Sequence, residues 1–279
     1  MKSKIIFLFL VISTNFSSFA SKPKIVASIT PIASIVSMLA KDIADIETID
    51  ISSGCPHHYQ MRPSDKAKIN NAEIFIYLDE RFDGFAAKLT SNFHGRVIKI
   101  SDLKTVNFLG RNGKINWHFW LDLKNVLNLQ EEISDILLTE FPDSRDMILA
   151  NKTKSQKQIY DLIKIKQEAL SNISNLVVLT DSLEHFLLDI NNGYNIKEIY
   201  QKQNASLKNI SKLEFELKLS STRCIVIDSS QNIELYEKFN KKIVQIDSEN
   251  WLPDKGNKNY AELFYNKYLQ MILQLEECR

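Results

Sequence analysis

The chain has 279 residues, enough for one large or two ordinary domains once an export signal is removed. Hydrophobic residues make up 44% of it, and its 35 basic residues nearly balance 34 acidic ones. Because no basic block appears, the charge pattern argues against nucleic acid as a partner.

Residues 1–20 have the pattern of a secretory signal peptide. Lys2 and Lys4 form a basic start, Ile5–Ser13 is an apolar run, and Ala20 ends a plausible cleavage site. The run is too short to span a membrane, and no later segment approaches the roughly 18 apolar residues that a span requires. We therefore expect an exported protein cleaved near Ala20. The absence of a cysteine near that site argues against a lipid anchor.

Short apolar segments alternate with helical patterns in the first half of the chain. The predicted strands are short and β-branched, and Pro31 is a favourable first residue for a helix. This alternation predicts a mainly parallel sheet flanked by helices. The predicted strands are Lys24–Ile29, Ile46–Ile51, Glu73–Leu78 and Arg96–Ile100, and the predicted helices are Pro31–Ile43, Pro63–Ala72 and a short helix within 83–91.

A long helix is predicted in the middle of the chain. The helix that begins at Asp122 ends before Pro142, and Asp143 and Ser144 can cap the next one. That second helix continues to about Leu170 without glycine or proline, which makes it roughly 40 Å long. Such a length exceeds that of an ordinary crossover and suits a rigid connection between two lobes.

A second alternating stretch follows the long helix. Its predicted strands are Asn175–Leu179, Arg223–Ile227 and Lys242–Ile246, and apolar residues recur at helical spacing from Ala261 to Leu275. The sequence therefore predicts an α/β fold of two lobes, each a mainly parallel sheet flanked by helices, joined by one long backbone helix. The predicted boundaries are 1–20 for the signal peptide, 21–140 for the first lobe, 141–172 for the connecting helix and 173–279 for the second lobe.

The chain contains three cysteines, Cys55, Cys224 and Cys278. A disulfide is permitted in an exported protein, and an odd number leaves one cysteine over. A bridge between Cys224, in a predicted strand, and Cys278, after the last helix, would tie that helix to the sheet. The residues alone do not fix the pairing. Cys55 is then either a free thiol beside His57 or a small buried side chain.

Polar residues follow several of the predicted strands, at the edge where α/β sheets bind ligands. Those that come directly or closely after a strand are His57, Thr180, Asp181 and Asp247. His118 lies on a loop just before the start of a helix. Imidazole and carboxylate groups from separate strands could converge on zinc, copper or manganese. Because these residues share no local spacing pattern, structural roles for the histidines remain open.

Three stretches resemble motifs of the metal-binding substrate-binding proteins of ABC importers, the cluster A-I group that includes ZnuA-like zinc-binding and manganese-binding proteins. "PHHYQMRPSD" (56–65) is similar to the group's Pro-His-x-Tyr/Phe followed by Pro-Ser-Asp. "NWHFWLD" (116–122) is similar to its Asp-Pro-His-x-Trp-Leu-Ser/Asp, and "VQIDSENW" (244–251) to its late strand ending in a metal-binding aspartate. The resemblance covers essentially the whole mature chain. It implies that His57, His118 and Asp247 are metal ligands and that Cys224 and Cys278 form a disulfide.

The chain departs from the group at its third ligand, a His or Glu that directly follows the first strand of the second lobe. Thr180 occupies that position, and a neutral hydroxyl is a poor ligand for either metal. Asp181 is adjacent and could fill the gap. His185 is the less favourable replacement, because a helix would place it about 140° around and about 7–8 Å along. The His-rich loop that often precedes the second ligand in zinc importers is also missing.

The resemblance implies a monomeric periplasmic receptor that delivers a divalent transition metal to an ABC permease in the inner membrane and catalyses no reaction. We expect Zn²⁺, with Mn²⁺ as the alternative. One competing hypothesis is a degenerate receptor of the same fold that binds no metal ion or binds a metal chelate. Another is a zinc-dependent hydrolase, because two imidazoles, a carboxylate and an open position also describe a catalytic zinc site. Glu184 or Asp181 could then be the general base.

Overall fold

The computed structural model describes residues 21–49, 59–111, 113–190, 196–198, 211, 213–215, 217, 221–249, 251–253 and 259–279. The predicted signal peptide, Cys55 and His57 lie outside the described residues.

The first sheet has four parallel strands in the order β2-β1-β3-β4. Its two central strands are buried apolar runs, as expected where helices cover both faces of a parallel sheet. The strands are β1 (Lys24–Ala27), β2 (Asp45–Thr48), β3 (Ile74–Tyr77) and β4 (Arg96–Lys99), and the helices between them are α1 (Thr30–Ala40), α2 (Pro63–Asn70) and α3 (Gly84–Leu89). Each element lies where the sequence predicts it, although most end earlier and β2 and α1 begin one residue before their predicted starts.

Helix α4 (Leu123–Glu140) and the connecting helix α5 (Arg145–Leu170) follow the first sheet. The Asp122 side chain caps α4, because its Oδ1 accepts a hydrogen bond of 2.9 Å from the backbone N–H of Lys124. Helix α5 has 26 residues and begins after a 3-10 turn, Pro142–Ser144. Ser144 occupies the N-cap position of α5, as predicted, but its side chain makes no capping hydrogen bond.

The second sheet has four parallel strands in the order β6-β5-β7-β8. The sequence predicts three of these strands and misses β6, a short edge strand. The strands are β5 (Leu176–Val178), β6 (Ile196–Glu198), β7 (Cys224–Asp228) and β8 (Lys242–Ile246), and the helices are α6 (Glu184–Leu187), α7 (Glu234–Glu237) and α8 (Tyr260–Glu276).

A disulfide joins Cys224, the first residue of β7, to Cys278, just beyond α8. The two Cα atoms lie 5.5 Å apart. The implied pairing is confirmed, and it ties the last helix to the second sheet.

One continuous hydrophobic core extends between the two sheets through α1, α5 and α8. Helix α1 carries apolar or small residues on every side, and all of them from Pro31 to Ala40 are buried, as such a helix requires. The apolar stripe of α8 packs against α1 and α5. The predicted two-lobed α/β fold is thus confirmed. Among the described helices, none combines the length and apolar composition needed to cross a membrane.

Candidate metal-binding site

Three loops meet at the carboxyl edge of the second sheet, after β5, β7 and β8. Asp228, at the end of β7, joins them because its Oδ2 accepts hydrogen bonds from Ser248 Oγ at 2.5 Å and from Ser182 Oγ at 3.4 Å. Parallel strands bring their carboxyl ends to one edge, which is why loops so distant in sequence become neighbours. This edge is the floor of the candidate site.

The segment 116–122 reaches this edge from the first lobe. His118 precedes a 3-10 turn, Phe119–Leu121, that leads into α4. The fully buried Trp120 donates its indole Nε1–H to the carbonyl of Ser248 at 3.0 Å, and the Tyr268 hydroxyl donates to the carbonyl of Leu121 at 2.8 Å. The His118 segment is therefore anchored to the second lobe at two successive residues of the turn.

Asn116 fixes the orientation of the His118 ring. Its Oδ1 lies 2.9 Å from His118 Nδ1 and accepts the His118 backbone N–H at 3.1 Å. Its Nδ2 donates to the carbonyl of Asp181 at 2.7 Å and to Glu184 Oε2 at 3.0 Å, so the amide oxygen must be the atom that faces His118. Nδ1 then carries the proton and donates, which in the neutral ring leaves the lone pair on Nε2. Outer hydrogen bonds of this kind commonly orient a metal-binding histidine.

The Nε2 atom of His118 faces a carboxylate from the second lobe. It lies 2.5 Å from Oε1 of Glu249, and the side chains are 11% and 20% exposed. Glu249 was not among the residues predicted from the sequence, although it lies two residues beyond Asp247. It was missed because nothing local in "VQIDSENW" distinguishes it from an ordinary loop carboxylate.

Asp247 begins the loop after β8, as predicted. Its Oδ1 accepts the backbone N–H of Glu249 at 3.3 Å, and its carbonyl accepts the indole N–H of the fully buried Trp251 at 3.0 Å. Trp120 and Trp251 thus hold successive carbonyls of this loop, those of Ser248 and Asp247. The loop backbone is fixed while its acidic side chains remain partly accessible.

Thr180 and Asp181 follow β5, as predicted, but both are engaged within their surroundings. The Thr180 hydroxyl is buried, 2.7 Å from Ser182 Oγ, and accepts the Ser182 backbone N–H at 3.2 Å. Asp181 contributes its backbone carbonyl to Asn116, and its side chain is exposed. Among the described residues, neither side chain forms a hydrogen bond with His118.

His185 is fully buried in α6. Its Nε2 donates to the carbonyl of Asn116 at 3.1 Å, and its Nδ1 has no hydrogen-bond partner among the described residues. Burial lowers the pKa of His185, and the Asn116 carbonyl opposes this shift. The ring is therefore neutral. It binds the backbone of Asn116, whose side chain in turn binds the His118 ring.

Glu184 joins the two lobes beside the site. Its buried carboxylate accepts the backbone N–H of Arg111 at 2.7 Å as well as the Asn116 amide. A Cβ atom on Gly110 would overlap this carboxylate, so the close approach requires glycine there. Glu184, which the sequence suggests only as a general base in the hydrolase hypothesis, is used here to hold the loop that precedes His118.

Within the described residues, no three His, Cys, Asp or Glu side chains lie close enough together to hold a metal ion. The structure brings His118 to the loop that carries Asp247 and Glu249, and it places Asp181 and His185 beside Asn116, while Thr180 binds Ser182. His57 lies outside the described residues. Its role as a ligand stays a prediction, as do those of the other residues of the predicted set.

Comparisons with known proteins agree on one family. The family described as zinc-uptake complex component A, periplasmic (ZnuA), matches residues 25–274. The uncharacterized protein RP014 of Rickettsia prowazekii is 41% identical over 266 residues, which cover 95% of this chain and 86% of that protein.

The zinc-binding lipoprotein AdcA of Streptococcus pneumoniae is 23% identical over 69% of this chain, and the chain spans only 41% of AdcA. Streptococcal lipoproteins named as substrate-binding components of metal and iron ABC transporters also match, at 27% and 24% identity.

A solved structure shows the same fold. The periplasmic zinc-binding protein TroA of Treponema pallidum superposes with a TM-score of 0.76 over 92% of this chain and 99% of TroA. The two sequences are only 16% identical, so this likeness concerns the fold alone.

Proposed function

Because the chain belongs to the family of periplasmic zinc-uptake components, whose members are substrate-binding proteins of metal ABC transporters and not enzymes, we propose that it binds Zn²⁺ between its lobes and delivers it to an ABC permease. Family membership removes the hydrolase hypothesis. Zn²⁺ is the proposed ion, and Mn²⁺ is the alternative that the sequence resemblance implies; among the relatives, one is named for zinc and another for iron.

The arrangement of His118 is the observation that carries this proposal. Its ring lies between the lobes, Asn116 holds its Nδ1–H, and its Nε2 points to the acidic loop after β8. Neutral imidazole and carboxylate groups are suitable zinc ligands. We propose that His57, His118 and Asp247 bind the ion, with Asp181 or water completing the coordination. On this proposal the lobes are residues 21–140 and 173–279, and residues 141–172 connect them.

Zinc titration of single-histidine variants tests the proposal. His118→Ala and His57→Ala should each weaken Zn²⁺ binding by well over about tenfold, because each removes a direct ligand. His94→Ala is the matched control, since His94 is exposed on the loop before β4 and should not contribute. Circular dichroism of each variant checks that it folds. Unchanged zinc affinity in both ligand variants would reject the metal-receptor function and favour the degenerate receptor.

We also propose that the mature protein is a periplasmic monomer that begins after Ala20. Mass spectrometry of the exported protein should give a chain without residues 1–20, and light scattering should give the mass of one mature chain. An uncleaved chain or a stable dimer would contradict these parts of the proposal without affecting zinc binding.

A further inference from the structure

We propose that Glu249 is a direct metal ligand that replaces the one missing at Thr180. This inference rests on the proposed function, because it concerns the same metal site. It begins from the contact between the two lobes, where Oε1 of Glu249 lies 2.5 Å from Nε2 of His118. At 2.5 Å a proton must lie between the two atoms, so without a metal ion Nε2–H of His118 donates a hydrogen bond to Oε1 of Glu249. An ion that displaces this proton would meet an imidazole nitrogen and a carboxylate oxygen aimed at one point.

The backbone beneath Glu249 is built to hold this side chain in place. Trp251 and Trp120 bind the carbonyls of residues 247 and 248, and the Glu249 N–H binds Asp247 Oδ1. These three hydrogen bonds fix the start of the Glu249 side chain, while its carboxylate remains partly accessible to solvent. Preorganised ligands of this kind lose little conformational entropy when an ion binds.

A metal ion fits between the two groups after a small displacement. Zinc ligands lie about 2.0–2.2 Å from the ion, so two ligands in a tetrahedral arrangement are about 3.3 Å apart. The observed separation of 2.5 Å must therefore open by about 0.8 Å. Rotation about the side-chain bonds of Glu249 provides this movement without a change in the backbone. The direct contact between Glu249 and His118 is thus the metal-free arrangement, and a bound ion would separate the two side chains.

The other candidates for the missing ligand are less suitable in this fold. The Thr180 hydroxyl is used by Ser182, and a neutral hydroxyl is a poor ligand. The Asp181 side chain is exposed and forms no hydrogen bond with His118 among the described residues, while its carbonyl binds Asn116. His185 is buried behind Asn116, which its Nε2 binds.

A second carboxylate has a consequence for metal preference. With Asp247 and Glu249, the site would provide two negative charges to a divalent ion, together with two imidazoles. Carboxylate oxygens suit Mn²⁺ better than they suit Zn²⁺, whereas imidazole suits zinc. Glu249 should therefore narrow the difference between the affinities for Zn²⁺ and Mn²⁺ compared with a site in which a third imidazole takes its place.

The test compares Glu249→Gln with the parent protein. Glutamine keeps the size of the side chain but removes its charge, so Zn²⁺ affinity should fall by at least about tenfold and Mn²⁺ affinity by a larger factor. Glu262→Gln is the matched control, because Glu262 is exposed on α8. Asp181→Ala and His185→Ala are measured beside it as the competing ligands. A crystal structure of the zinc-loaded parent should place a Glu249 oxygen within about 2.2 Å of the ion.

The outcomes separate this inference from the proposed function. If the parent binds zinc but Glu249→Gln behaves like Glu262→Gln, or if the ion lies beyond about 3 Å from Glu249, the inference is wrong and the function stands. A larger loss in Asp181→Ala or His185→Ala than in Glu249→Gln would also overturn it. If the parent binds neither Zn²⁺ nor Mn²⁺, the proposed function fails and the Glu249 ligand with it.

Discussion

Removing the carboxylate of Asp189 should destabilise the protein far more than removing the amine of its partner, Lys166. Lys166 lies on α5 with 2% of its side chain exposed, and its Nζ is 2.5 Å from Asp189 Oδ1 and 3.3 Å from the Tyr268 hydroxyl. Burial lowers the pKa of Lys166, and the Asp189 carboxylate opposes that shift. Because Tyr268 also binds the Leu121 carbonyl, this charged pair supports the segment that carries His118.

The two truncations leave very different groups behind. Asp189→Ala leaves an ammonium buried in the core without its counter-ion, which should cost about 3–5 kcal/mol of the free energy of unfolding. Lys166→Met removes the buried charge and roughly keeps the volume, and the remaining Asp189 side chain is 23% exposed and can reach water. We expect this variant to lose about 1 kcal/mol or less.

Urea denaturation, followed by circular dichroism without reducing agent, measures both losses. Lys164→Met is the matched control, because Lys164 is exposed on the same helix and, among the described residues, forms an ion pair only with the exposed Glu168. Equal losses for Asp189→Ala and Lys166→Met would refute the reasoning, since they would mean that the pair stabilises by mutual attraction and that burial of the amine costs little.

The pH dependence provides a second check on the same reasoning. Without Asp189, the pKa of Lys166 in the folded state should fall further below its value in the unfolded chain. Between these two pKa values the unfolded chain binds more protons, so the free energy of unfolding rises with pH. The deficit of Asp189→Ala relative to the parent should therefore shrink from neutral pH to about pH 9. A deficit that grows with pH would contradict the assignment of the orphaned charge to Lys166.

Three further predictions concern the second lobe and its contact with segment 116–122. Reduction of the disulfide, whose cysteines are 54 residues apart, should cost about 4 kcal/mol, measured by denaturation with and without reductant. Trp120→Phe should cost about 1–3 kcal/mol, measured in the same way, because it leaves the Ser248 carbonyl without the indole N–H. Thr180→His should raise zinc affinity by at least about tenfold in the Glu249→Gln background and by much less in the parent. Equal gains in zinc affinity in both backgrounds would show that residues 180 and 249 do not occupy the same coordination position.

The fold could be predicted from the sequence because its signals are local. Alternating apolar segments, Pro31, the Asp122 cap and the glycine-free stretch before Leu170 all lie within the elements that they specify. The failures also have local causes. Helix α1 was predicted to continue to Ile43, but the backbone N–H of Ile43 binds the carbonyl of Ala40 in a turn that still buries the isoleucine. Apolar spacing alone does not distinguish such a turn from another turn of helix.

Strand β6 was missed for a related reason. It is a three-residue edge strand, Ile196–Glu198, and pairs only with β5 among the described strands. Two of its three residues are charged, so it lacks the alternating or continuous apolar pattern by which strands are predicted. Its pairing depends on the neighbouring strand and not on its own composition.

The residues of the candidate site also differ in how they can be found, because some stand in a local sequence motif and others depend on a contact with a distant part of the chain. Asp247 and His118 could be predicted because each stands in a motif, whereas Glu249 depends on a contact with a residue 131 positions away. The resemblance implies a ligand at position 180, and because Thr180 is a poor ligand, the other carboxylates at the same edge of the sheet become candidates. Asp228 is already occupied by the hydroxyl groups of neighbouring loops, and Asp247 is in the predicted ligand set. Glu249 is the carboxylate in contact with His118, and only the folded chain reveals that contact.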